Sequence, residues 1–264
     1  MLGAAGSNPV APIFYYGVSS LLILLSNDDG IQSEGLHILK DDLSRFHDVW
    51  TVAPEKENSC ISHAVTLQTP LRIRELDRRT FSTDGTPADS VLLGLKVILP
   101  HPPDLIIAGI NKGPNMGQDV NYSGTVAAAK EGAFLGIPSL AVSLDARKDF
   151  RFDTAKDVVR QLIEKIGNFP LPRHVLLNVN VPNRPQPLRG FMMTRLGKRI
   201  YNGSIVERID PRGGRYYWIG GDSDSFEPIR GTDFYAVSRE YVSVTPLHWD
   251  TTHRVTIRKF KSIF

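Results

Sequence analysis

The sequence predicts an α/β fold: a mostly parallel sheet with helices on both faces, followed by a β-rich C-terminal extension. Three observations carry this. Over the first two-thirds of the chain, short apolar runs alternate with segments of helical periodicity. The runs LLILL (21–25) and DLIIA (104–108) lack apolar/polar alternation, as strands buried on both faces do. From Asn183 onward the pattern changes to Pro, Gly and short β-like runs.

The elements follow in order. Residues 21–26 form a first buried strand, and the chain must turn sharply after it. Ser33 can cap a helix running to about Phe46, with Leu36, Leu39, Leu43 and Phe46 on one stripe. DVWTVA (48–53) is a second strand, stopped by Pro54. Residues 64–76 carry Val65, Leu67, Leu71 and Ile73 at extended spacing, interrupted by Pro70, and could form a hairpin. Thr86, Pro87 and Asp89 open a helix as cap, first residue and favourable charge, and that helix continues to Leu99. After the strand at 104–108 come an alanine-rich helix at 125–135, a strand at 138–143, an amphipathic helix at 153–166 and a last core strand at 174–180. The expected core is 20–182. The expected extension is 183–264, with β-like runs at 191–195, 216–219 and 241–245, used for subunit contacts.

Length and composition bound the function. A chain of 264 residues makes one large domain or a domain with an appendage. Its 41% hydrophobic and 22% charged residues are ordinary for a globular protein. The net charge of +3 is dispersed, without the Lys/Arg cluster that a nucleic-acid duplex would require. The single cysteine, Cys60, leaves no intramolecular disulfide framework and no CxxC metal motif, and points to the reducing cytoplasm. Cys60 itself is expected to pack as a small side chain. Residues 10–26 are uncharged, but they are short for a membrane span, broken by Pro12 and Gly17, and lack a basic leader. Residues 1–19 are expected to be a dispensable extension, and no membrane association is expected.

In open α/β sheets, ligands bind at the carboxyl ends of the strands. There the chain places Ser26-Asn27-Asp28-Asp29-Gly30, then Glu55 to Ser59, then Asn111-Lys112-Gly113-Pro114-Asn115. Two neighbouring carboxylates in a confined place must pick up a proton or a cation. With amide and hydroxyl oxygens beside them they form a hard-ligand set, suited to Mg²⁺, Mn²⁺ or Ca²⁺. The bland alternative is that Asp29 caps the next turn and Asp28 pairs with a basic residue. Ser123-Gly124-Thr125 opens the alanine-rich helix, where exposed amides and two hydroxyls can bind an anion or merely cap. Metal and anion sites on one sheet edge suggest phosphoryl chemistry, with Asp28 able to deprotonate water. Arg195, Lys198 and Arg199 could assist, though a solvated face is the default.

Together these segments closely resemble the SurE family, the stationary-phase-survival 5′-nucleotidases. The matching stretches are ILLSNDDG (23–30), VAPEKENS (52–59), DGTPADSV (84–91), DLIIAGINKGPNMG (104–117), YSGTVAAAKEG (122–132) and GIPSLAVSLD (136–145), with later matches up to residue 248. The resemblance implies a Rossmann-like sheet and a β-rich oligomerisation extension. It also implies a divalent-metal phosphatase acting on nucleoside monophosphates, with one cation per subunit. It carries metal ligation to Asp28, Asp29, Ser59 and Asn111, phosphate and substrate contacts to Asn115, Ser123, Gly124 and Thr125, and homodimer or homotetramer assembly to the chain. Two departures stand out: the extension before Leu21, and Cys60 where a glycine is common. The sequence leaves open the preferred base, and whether 3′-nucleotides and short polyphosphate are cleaved. Competing readings are a nucleotide-binding module without catalysis, disfavoured because no GxGxxG follows the first strand, and covalent aspartyl catalysis, disfavoured because the pair is contiguous rather than DxD.

Overall fold

The computed structural model describes residues 20–168, 171–185, 187–200, 205–219, 225–261 and 263. Residues 1–19, expected to be an extension, lie outside them.

β1 (Leu22–Ser26) is fully buried because each face meets a separate core. Ile23 and Leu25 pack into one cluster, Leu22 and Leu24 into the other, following the two-residue repeat of a strand. The first cluster is closed by α1 (Glu34–Leu43) and α4 (Phe152–Asn168), through Leu36, Leu39, Val158 and Leu162. The second is closed by α2 (Pro87–Leu93) and α3 (Gly124–Phe134), through Val91, Val126 and Ala129. α1 ends one turn earlier than its apolar stripe predicts, so Phe46 lies outside it, 59% exposed. α2 begins on a complete capping box between Thr86 and Asp89, then passes at Gly94 into a wider helical turn, Gly94–Ile98.

β2 (Asp48–Pro54) and β4 (Thr80–Thr83) lie parallel on one side of β1. β5 (Leu105–Lys112), β6 (Ser139–Asp145) and β7 (Val175–Pro182) lie parallel on the other side. The chain therefore leaves β1 in one direction and resumes at β5 in the other. Their carboxyl ends diverge into the crevice where such sheets bind ligands. The hairpin anticipated at 64–76 forms later in the chain: β3 (Ile73–Asp77) pairs antiparallel with β4, and 64–72 stays irregular.

The sheet does not close at β7. β11 (Val242–His248) adds antiparallel to β7, and β8 (Phe191–Met193) adds parallel to β11, giving nine strands in the order β3-β4-β2-β1-β5-β6-β7-β11-β8. Long-range pairing, rather than local pattern, returns the late chain to the core. β9 (Ile205–Ile209) and β10 (Arg215–Ile219) form a separate antiparallel hairpin. α5 (Asp233–Ser238) packs near β11, and α6 (Arg254–Phe260) has no buried residue. No helix among the described residues is long and apolar enough to cross a membrane.

Candidate active site

The turn after β1 is built by Asn27, whose side-chain amide donates to Gly30 O (2.9 Å) and Ser33 Oγ (2.5 Å). Gly30 has φ +92°, and a Cβ there would lie 3.1 Å from the Lys56 carbonyl carbon, so glycine is needed for both conformation and space. Ser33 thus serves this turn and makes no cap bond to α1. The turn carries Asp28 and Asp29 off the strand direction into the crevice.

Asp28 is 5% exposed, and its Oδ1 accepts from the Thr125 hydroxyl at the start of α3. The helix approaches so closely that a Cβ on Gly124 would stand 2.6 Å from Asp28 Cβ. Burial, supported by the Asp29 charge and opposed by the Thr125 bond, pushes the Asp28 carboxyl up to about 6. Asp29 is also raised, chiefly by burial and against the Lys112 N–H and charge. Its Oδ2 accepts that N–H at 3.1 Å, which seats Asp29 on the end of β5 beside Asn111. Asp28 has no basic partner among the described residues, so pairing with a lysine or arginine does not account for it.

The structure gathers most of the expected residues but not all in a ligating pose. Asn111 commits its amide nitrogen to Gly113 O (2.9 Å), so that its Oδ1 is the atom that could face a cation. The loop after β2 reaches the corner through Asn58, whose N–H donates to Asp28 O (2.7 Å). Ser59, however, donates its hydroxyl to Glu57 Oε1 (2.7 Å). The next residue, Cys60, has φ +59° and is exposed rather than packed, because the left-handed turn carries its side chain outward. Ser123 caps α3 by accepting Val126 N–H (3.0 Å). Asn115 is 8% exposed and donates its amide to Ser143 Oγ (2.8 Å).

Two residues that the sequence reading passed over hold this loop. Asn178 and Asn180 both donate to Asn115 O (2.8 and 3.0 Å), and Asn180 Oδ1 accepts the Asn115 N–H (2.8 Å). The signal was present in HVLLNVN: two asparagines two apart in an apolar strand share one face. Asp233 plays a similar part, accepting the N–H groups of Gly117 and Gly197 at 2.7 Å. The basic residues at 198–199 are taken up elsewhere: Lys198 pairs with Glu227 (2.8 Å) and Arg199 with Asp119 (2.7 Å).

The donor set fits a hard divalent cation. Two buried carboxylates with raised pKa values would be relieved by a positive charge between them. No group of three or more His, Cys, Asp or Glu suited to a metal occurs among the described residues, so a cation held by Asp28 and Asp29 would need neutral oxygens, such as those of Asn111 and Ser59, for its other positions.

The chain is similar to proteins of one known family. The family model "Survival protein SurE" matches residues 23–203. A protein named 5′-nucleotidase SurE from Citrifermentans bemidjiense is 48% identical over 242 residues, covering 91% of this chain and 98% of its own. One of the same name from Coxiella burnetii is 47% identical over 234 residues, covering 88% and 91%. The crystal structure of the SurE protein from Aquifex aeolicus superposes with a TM-score of 0.83 at 41% identity, covering 92% of this chain and 99% of that one. With the carboxylate pair after β1 and the start of α3 inside the matched span, the chain belongs to the SurE family.

Proposed function

We propose that this chain is a divalent-metal-dependent phosphomonoesterase that hydrolyses nucleoside 5′-monophosphates to nucleoside and phosphate. One observation carries the reading: a buried, unneutralised carboxylate, Asp28, lies against the first turn of α3 with Asp29 beside it. A positive helix end and an acidic pair meet in one corner, as a bound phosphate with a cation requires. The relatives named 5′-nucleotidase support the substrate class.

Asp28, Asp29, Asn111 and Ser59 would hold one cation per subunit, Mg²⁺ or Mn²⁺. Its chemistry when bound is to offset charge on the phosphoryl oxygens. For Ser59 to join, its hydroxyl must leave Glu57. Ser123, Gly124, Thr125 and Asn115 would orient the phosphate. Thr125 fixes one oxygen of Asp28, leaving the other to take a proton from the attacking water. The same site would accept 3′-nucleotides and short polyphosphate. The exposed cysteine fits a cytoplasmic enzyme. Apolar side chains exposed on the β9–β10 hairpin and on α6 fit a homodimer or homotetramer.

The test is phosphate release from a panel of nucleoside monophosphates after chelation, with and without added Mg²⁺ or Mn²⁺. Release should vanish on chelation and return with the cation. Release indifferent to chelation, or an Asp28→Asn variant as fast as the parent, would sink the reading.

A further inference from the structure

The chain after β5 carries both halves of the proposed phosphate site. Asn115 lies before a short helical turn, Gly117–Asn121, and Ser123, Gly124 and Thr125 lie after it. β7 clamps the Asn115 side through Asn178 and Asn180. The turn itself, which sets one half of the site against the other, is fastened by the late chain.

The fastening group is Asp233, at the start of α5 and 0% exposed. Its Oδ2 accepts the Gly117 N–H (2.7 Å), and its Oδ1 accepts the N–H groups of Gly197 (2.7 Å) and Phe234 (2.9 Å). Burial pushes this carboxyl up, against the pull of those N–H groups. A buried carboxylate held by main-chain dipoles is a costly way to anchor a turn. The three segments leave no slack. A Cβ on Gly117 would stand 2.7 Å from Phe234 Cε2 and 2.8 Å from Gly197 O, and a Cβ on Gly197 would stand 2.8 Å from Asp233 Oδ1. Met116, Phe234 and Val237 make a small core of their own here, with Phe226 stacked on Phe234 (ring centroids 5.2 Å apart).

Gly197 and Phe226 also belong to the base of the β9–β10 hairpin. Residues 197–200 lead towards it and residues 225–227 lead back. Ile200 N–H donates to Ser225 O (2.9 Å) and Glu227 N–H to Lys198 O (3.0 Å), which ties the two together. A second lacing runs from the turn to this base. Gln118 donates Nε2 to Arg199 O (2.9 Å) and accepts the Arg199 N–H (3.0 Å), and Arg199 Nε donates to Asp119 (2.7 Å).

We propose that Asp233 is a positioning residue of the phosphate site: it seats the base of the hairpin on the turn at Gly117, and that seat sets Asn115 against the start of α3. The assignment rests on the phosphatase reading above. Asp233 acts through the main chain, so its loss weakens the grip on phosphate without removing a group that touches it.

The experiment is a calorimetric titration of inorganic phosphate into the Mg²⁺-loaded full chain. It gives Kd and, separately, the number of sites, so misfolded protein lowers the second and leaves the first. Asp233→Asn keeps the shape but turns one acceptor into a donor facing an N–H. It should raise Kd about tenfold. Gln118→Ala, which cuts the second lacing, should raise Kd about threefold, and decides the matter if Asp233→Asn does not fold. Arg160→Ala breaks the ion pair with Asp42 that joins α4 to α1, and should destabilise the chain while leaving Kd unchanged. Asp233→Asn and Gln118→Ala binding phosphate as tightly as the parent, or Arg160→Ala weakening it as much as they do, overturns the assignment alone. A parent that binds no phosphate overturns the phosphatase reading as well.

Discussion

The carboxyl edge of β1 and the β9–β10 hairpin depart from the usual distribution of polarity in opposite directions. At the first, Asp28 is a charge taken out of water, with a hydroxyl rather than a cation as its partner. At the second, Trp218 is 64% and Ile219 93% exposed, apolar surface left in water. Each costs an isolated subunit stability or solubility. The difference lies in what would relieve the cost. A small cation and an anion can settle a buried carboxylate pair, whereas a broad apolar face needs another protein surface. On the proposed function, chemistry would belong to the sheet edge and assembly to the arm.

Removing the charge at the edge should have the largest effect. Asp28→Asn is expected to slow phosphate release between about 100- and 10,000-fold. The same variant should stabilise the metal-free protein. The folded carboxyl titrates at about 6 against an ordinary 3.8, so the fold favours its protonated form. That contribution, about 3 kcal/mol in full, is present below about pH 4 and is lost as pH rises through 6. The stability gap between Asp28→Asn and parent, read from urea unfolding, should therefore open between pH 4 and 6 and stay constant above. A pH-independent gap would mean that Asp28 is not the strained group and would erase the contrast with the arm.

Gly124→Ala should come next. Its Cβ would meet Asp28 Cβ at 2.6 Å, so the helix start or the carboxylate must move. A loss of about 1–3 kcal/mol in unfolding free energy and a matching loss of turnover are expected. On the arm, Trp218→Ser should leave single-subunit folding intact and weaken assembly by about 2 kcal/mol, read as a lower mass by light scattering on dilution. An unchanged mass would show that the exposed face serves something other than self-association. Smallest, Thr86→Ala removes half of the α2 capping box and the hydrogen bond from its hydroxyl to Ala64 O, at a cost of about 1 kcal/mol in stability read from urea unfolding.

Much of the fold was readable before any coordinates. LLILL announced a two-sided strand because only such a strand leaves no polar face, and the structure divides its side chains between two cores. Thr86-Pro87-Ala88-Asp89 announced a helix start because its cap is made by residues three apart. Of the candidate site, the acidic turn and the SGT helix start were both visible, and the structure joins them through Thr125 and Asp28. The clamp of Asn178 and Asn180 on the Asn115 loop went unread, since it links residues more than sixty positions apart. The pose of Ser59 was hidden too, because its hydroxyl turns to Glu57 through the local geometry of an exposed loop.

By itself, the sequence determined most strands and helices of the first two-thirds of the chain, the sharp turn after the first strand, and which side chains carry negative charge at its end. These follow from interactions a few residues long: alternation, helical spacing, caps and glycine turns. Only the tertiary structure decided that β11 returns to lie antiparallel between β7 and β8, and that α3 presses its first turn onto Asp28. It alone hollowed a groove along that helix between residues 62 and 251. Those outcomes depend on which buried surfaces meet once every element competes for partners, and no local stretch of the chain contains that competition.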